Sequence, residues 1–166
     1  MSIKTMLFPA IEDKGNPVRD SWDRLKGTSV GIWLFNQLMR VVVPYTGSLG
    51  ARVEEVRPGY ARVVLRERFA VRNHLRSVHA IALANLVELT GNVAVVYACP
   101  DDARMIVAGM RMKYLKKARG KLTATSNPPI PTSNARQQFE VVVEVRDESG
   151  ELVCEGTLET LVGPKK

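Results

Sequence analysis

Cysteine, histidine and aromatic residues are all scarce in this chain. Its 166 residues include two Cys, two His and 6% Phe, Trp and Tyr. Two cysteines, Cys99 and Cys154, cannot build a disulfide framework, and a chain of this length buries a core without one. Both are therefore expected as reduced thiols in a cytoplasmic protein. No Cys/His spacing typical of zinc occurs, and no metal or redox cofactor is expected. Few aromatics, no helix-turn-helix signature and no aromatic RNA-binding motif argue against specific nucleic-acid recognition. Internal repeats, linkers and low-complexity tracts are lacking. At the N-terminus the apolar run is short and interrupted by Pro9 and Glu12, so no export signal is read there. The most apolar stretch, Ala80 to Ala98, is long enough for a bilayer but carries Asn85, Glu88 and Asn92. Each is costly in hydrocarbon, and the stretch reads as a buried helix, not a membrane span.

What is present suits one compact domain: 45% hydrophobic residues, 25% charged residues and a net charge of +7. The positive balance implies anionic partners, whether nucleic acid, anionic lipid or a phosphate-bearing small molecule, and charge alone does not choose among them.

Residues 18–43 place Trp22, Leu25, Val30, Trp33, Leu34, Leu38 and Val41 at three- and four-residue spacing. This predicts one or two amphipathic helices, with Pro17 near the start, Gly27 and Gly31 as breaks and Pro44 as the end. From Ser48 the period falls to two. Ala51, Val53 and Glu55 alternate with Arg52, Glu54 and Val56, Arg57-Pro58-Gly59 turns, and Ala61, Val63 and Leu65 alternate with Arg62 and Arg66 in a hairpin. A polar segment from Val71 to Ser77 precedes the helix at Ala80 to Ala98, which Cys99-Pro100 terminates. Four strands are predicted at about 104–115, 120–126, 136–146 and 151–162, and Asn127-Pro128-Pro129-Ile130-Pro131 must be a loop. The order is helix, two strands, one long apolar helix, four strands. Residues 1–44 form an N-terminal helical extension and 45–166 the main domain, in one compact unit. A helix apolar nearly all round must be enclosed, and a mostly antiparallel six-stranded sheet curled around it is the simplest enclosure for an α+β domain.

That order resembles the hotdog-fold thioesterases, with Asn73-His74-Leu75-Arg76-Ser77-Val78-His79-Ala80 feeding the helix and Met112-Lys113-Tyr114-Leu115 followed by a basic run after it. The resemblance covers roughly residues 45–162 and is nearest to a bacterial group with an extra N-terminal helical segment, often left as a domain of unknown function. The phenylacetate-pathway thioesterases are more distant. In such enzymes an Asn or Gln lies six residues before a His, and an acidic residue lies nine beyond it; Asn73, His79 and Glu88 keep both spacings. The resemblance implies hydrolysis of an acyl-CoA-type thioester at a site shared between subunits. The carbonyl would be polarised by the backbone of Ala80 at the helix N-terminus, with Glu88 as base or nucleophile and Asn73 and His79 in the site. Here Ala80-Ile81 stands where the family has Gly-Gly, and no Ser or Thr lies between Arg104 and Leu115.

Glu88 stands out without any family, because a carboxylate within an apolar helix must be paired, protonated or facing a cavity. With Asn85 and Asn92 it forms a polar stripe, which also fits a helix face toward solvent or a subunit interface. The cluster Lys113, Lys116, Lys117, Arg119 and Lys121 reads as a solvated face or as a clamp for the phosphates of CoA, with Arg76 and Arg136 as further contributors. Met110, Met112 and Tyr114 are expected to line or back the acyl end. His74 lies 14 residues before Glu88, a spacing similar to that of the β-hydroxyacyl-ACP dehydratases, but their intervening Pro/Gly-rich loop is missing. A non-catalytic acyl-CoA sensor and a nucleic-acid-associated structural domain are the rival classes. The resemblance further implies a hotdog sheet with edges that can pair and a site lacking half its walls in a lone subunit, so a homodimer or homotetramer is expected.

Overall fold

The computed structural model describes residues 15–165. The stretch read for an export signal lies outside the described residues. Helix α1 spans Pro17–Leu25, capped by Asn16, whose side-chain oxygen accepts from the Arg19 N–H. The same carboxamide donates to the carbonyls of Val96 (2.6 Å) and Cys99 (3.2 Å), so α1 begins where the long central helix ends. Helix α2, Ser29–Val42, is capped by Thr28. Gly27 therefore falls in the break, as expected, but Gly31 lies inside α2. It is needed there because a Cβ at Gly31 would collide with the backbone carbonyl of Leu25. Pro44 ends the run and also starts a short third helix, α3 (Pro44–Ser48), where its fixed φ and missing N–H suit the first turn. The 44/45 boundary falls inside this helix.

Strand β1 (Arg52–Arg57) and strand β2 (Tyr60–Arg66) form the expected hairpin. The expected alternation in β1 does not hold. A bulge between Val53 and Glu55 inserts one residue and resets the phase, so Val53 and Val56 are both buried while Glu54 and Glu55 face out toward Arg62. The other strands are β3 (Ala103–Tyr114), β4 (Lys121–Ser126), β5 (Gln137–Arg146) and β6 (Leu152–Pro164), within two residues of the sequence reading. All pairings are antiparallel in the order β1-β2-β4-β5-β6-β3, and residues 127–131 are a loop. The fold is the hotdog fold.

The central helix, α4, spans Ala80–Ala98. It is long and apolar enough to cross a membrane, yet 67% of its most apolar window is buried within the fold. Helix and sheet interlock at two glycines: a Cβ on Gly91 would strike the Leu158 side chain, and one on Gly156 would strike Val87. The N-terminal helices join the same core. Trp22 and Phe35 meet edge to face at 5.0 Å, and the Trp22 indole donates to the Val56 carbonyl.

Candidate active site

The N-terminus of α4 is built by a tight loop. Arg72 bridges to Val78, the Asn73 N–H donates to the Ser77 carbonyl, and Arg76 takes the left-handed conformation (φ 55°) at the tip. Asn73 holds this loop from inside. Its side-chain oxygen accepts from the N–H groups of Leu75 (2.9 Å) and Ser77 (3.2 Å) and from the Ser77 hydroxyl (3.2 Å). That oxygen is committed to the loop, and the side-chain NH2 is the part of Asn73 left to meet a ligand. His74 is exposed at the same tip.

His79 is the N-cap residue of α4: its Nδ1 accepts the Ile81 N–H at 3.1 Å, and its own N–H donates to the Val71 carbonyl. The Leu83 N–H reaches the His79 carbonyl. The N–H groups of Ala80 and Ala82 have no hydrogen-bond partner among the described residues. They are donors at the positive end of a 19-residue helix, suited to an oxygen that gains negative charge.

Strand β3 brings a second wall to this end. Met110, Met112 and Tyr114 pair across with Leu158, Gly156 and Cys154, all buried, so they share the inner face of the sheet. The Tyr114 hydroxyl donates to the Ala80 carbonyl (3.2 Å), and burial raises its pKa. Tyr114 therefore stands beside the helix N-terminus. Lys113, one residue away, points to the outer face and pairs with Glu155 at 2.8 Å. Lys116 pairs with Glu151 at 2.6 Å. The rest of the basic turn lies against the loop: the Val78 N–H donates to the Ala118 carbonyl, and the Arg119 guanidinium to the Arg76 carbonyl at 3.2 Å. Arg76, Lys117 and Arg119 are exposed at this edge, and Lys117 has no hydrogen-bond or ion-pair partner among the described residues.

Glu88 is half-buried in mid-helix and has no hydrogen-bond or ion-pair partner among the described residues. Asn85 and Asn92, one turn to either side, each bury a side-chain oxygen that has no partner. An unmet buried acceptor costs about 1–3 kcal/mol, and two of them flank an unpaired carboxylate in one row. Spacing alone reveals the stripe; its unmet hydrogen bonds require coordinates.

The profile of the family described as domain of unknown function DUF4442 matches residues 31–162. No curated protein matches. Among solved structures, the genomics target APC5556 superposes with a TM-score of 0.77 at 28% identity, covering 89% of this chain and 98% of the other. A Pseudomonas aeruginosa protein described as a probable thioesterase gives 0.71 at 21% identity, covering 80% and 95%. A thioesterase from Haemophilus influenzae gives 0.64 at 17% identity, covering 80% and 90%.

Proposed function

The chain belongs to the DUF4442 family, and from that premise we propose that it hydrolyses an acyl-CoA-type thioester at a site shared between two subunits. Thioesterases among the structural neighbours support the reaction class. The observation that carries the proposal is the pairing, on one helix, of unsatisfied N–H donors at Ala80 and Ala82 with an unpaired carboxylate at Glu88. The donors stabilise the oxyanion formed when the thioester carbonyl is attacked. Glu88 delivers the attack, either directly or by removing a proton from water. Its eight-residue separation from Ala80 corresponds to about 12 Å along the helix at 1.5 Å per residue. That separation favours a site in which the donors of one subunit meet Glu88 of the partner subunit.

The remaining groups have places in this scheme. The amino group of Asn73 faces the nucleophile or the attacking water. His79 holds the first turn of α4 in register. Tyr114 and Met112 wall the thioester. Lys116, Lys117 and Arg119, with Arg76, take the phosphates of CoA at the loop edge; Lys113 contributes positive potential from the outer face. The buried, unpaired cysteines fit a reducing cytoplasm. The deciding assay is thiol release from a panel of acyl-CoAs by the full-length protein. Saturable release supports the reaction. Retention of acyl-CoA without release would instead make the protein an acyl-CoA sensor.

A further inference from the structure

A cavity of about 380 Å³ lies between α1–α2 and the C-terminal half of α4, away from the donors at Ala80. Its walls are mainly apolar: Phe35, Met39 and Val42 from α2, Leu89 and Val96 from α4, and Met105 from β3. Asn92 also lines it, with its buried, unpartnered oxygen. Leu89 follows Glu88 in the chain, and Asn92 is one turn further along the same face, so the cavity opens within about 6 Å of the carboxylate along the helix.

Strand β3 adds an apolar surface beside this helix. Its inner face reads Tyr114, Met112, Met110, Val107, Met105; the bulge between Val107 and Gly109 keeps all five facing inward, as their buried partners on β6 show. The row starts at the Ala80 carbonyl and ends in the cavity wall. Methionine side chains re-pack readily around a flexible guest.

Two measures of the cavity agree on its capacity. From Leu89 to Cys99 is ten residues, or about 15 Å of helix. An extended chain advances about 1.2 Å per bond, so roughly twelve bonds span it. By volume, at roughly 30 Å³ per water-sized group, it holds about a dozen heavy atoms. The occupant that fits both measures and the apolar walls is one unbranched alkyl chain.

We propose that this cavity receives the distal part of a straight fatty-acyl chain, the roughly five bonds between the carboxylate and the cavity adding to the dozen it holds, so about 16 to 18 carbons; α1 and α2 roof it and set the chain length accepted. The inference rests on the reading of this protein as one that holds an acyl thioester.

The test uses the full-length protein and two CoA thioethers that cannot be hydrolysed, S-dodecyl-CoA and S-butyl-CoA, titrated by calorimetry. Each buried methylene strengthens binding a few-fold, so the dodecyl analogue is expected to bind at least about a hundredfold tighter. Val96→Phe, which fills the cavity from α4, should erase that preference and leave butyl binding unchanged. Val42→Phe, on the more exposed α2 wall, serves the same purpose if the first variant fails to fold. Equal affinity for the two analogues in the wild type, as expected were residues 1–14 or another subunit to fill the space, overturns the inference. So does a preference that survives both folded variants. Thiol release from lauroyl-CoA and butyryl-CoA separates the two readings. Preference without release removes the hydrolase and keeps the pocket, release without preference does the reverse, and failure to bind either analogue removes both.

Discussion

A shared site can be tested by complementation between two inactive chains. Ala80 is the first residue of α4, and its N–H is unpaired, so Ala80→Pro removes the donor while leaving the helix intact. The preceding residue, His79, already has φ −64° and ψ 142°, the region required before proline. Loss of one oxyanion donor lowers kcat by about 10²–10³-fold. Glu88→Gln keeps the side-chain shape and removes its basicity, with an expected loss of at least about a hundredfold. Either homodimer is therefore nearly inactive. In a mixed dimer whose sites each combine Ala80 from one chain with Glu88 from the other, one site carries both changes and its twin carries neither. Selection for both tags leaves only mixed dimers, and one site in two of those is intact, so about half of wild-type activity returns. If each site drew both groups from one chain, every site in the mixed dimer would carry one lesion, and activity would stay near the level of the homodimers. The assay is thiol release from lauroyl-CoA after co-expression with two affinity tags, reading only dimers that carry both. Folded mixed dimers without recovery would refute the argument from helix spacing, and a fully active Glu88→Gln homodimer would remove the carboxylate from the mechanism.

Three further outcomes follow from local geometry. Replacing Lys116, Lys117 and Arg119 by Ala should raise KM for acyl-CoA and leave short thioesters without the nucleotide unaffected. Lys113→Ala, which breaks an outer-face pair with Glu155, should raise KM for acyl-CoA far less; equal losses on both substrates would show that the cluster is not the CoA clamp. His79→Ala should cost about 0.5–2 kcal/mol through loss of the α4 cap, seen as a Tm lower by several degrees, with His79→Asn restoring most of it. Burial pushes the thiols of Cys99 and Cys154 from an ordinary 9.0 up to about 11. The folded state thus keeps protons that the unfolded chain releases, and their contribution is full below pH 9 and declines as pH rises toward 11. Thiol-reagent labelling at pH 8 should occur only on global unfolding, and rapid labelling of native protein would contradict the burial.

Much of this fold was legible because its strongest signals are periodic. The change from helical to alternating spacing near Ser48, the unbroken apolar run at Ala80–Ala98 and the alternation of Phe139 to Val145 each reported an element that the structure contains. Features that depend on one residue of backbone insertion or on close approach were not legible. The β1 bulge resets a pattern that looked regular, and Gly31 looked like a helix break although it is a contact with Leu25. The orientation of β3 was not legible for a related reason. Sequence showed that Met110, Met112 and Tyr114 alternate, but only the Tyr114–Ala80 hydrogen bond fixes which end of β3 lies at the helix N-terminus. Asn73, His79 and Glu88 could be selected by spacing; that the Asn73 oxygen is committed to its loop and that Glu88 has no partner could not.

The two edges of the sheet differ in a way that bears on assembly. At β1, the outward N–H and C=O of Val53 are both taken by the carboxamide of Asn36, at 2.7 and 3.0 Å, so the α2 side chain occupies the position a further strand would need. At the other edge, the 12-residue β3 pairs, among the described residues, only with β6 and exposes Ile106, Met110 and Tyr114. A long, apolar, unprotected edge is where a second copy pairs most readily. The inner face of that same strand runs from the Ala80 carbonyl to the cavity under α2. Pairing through β3 would therefore bring the second copy beside the helix N-terminus. Substitutions that weaken the edge, such as a lysine at Ile106, are then expected to lower activity and dimer content together. Loss of dimer with full activity would show that the catalytic groups lie within one subunit after all.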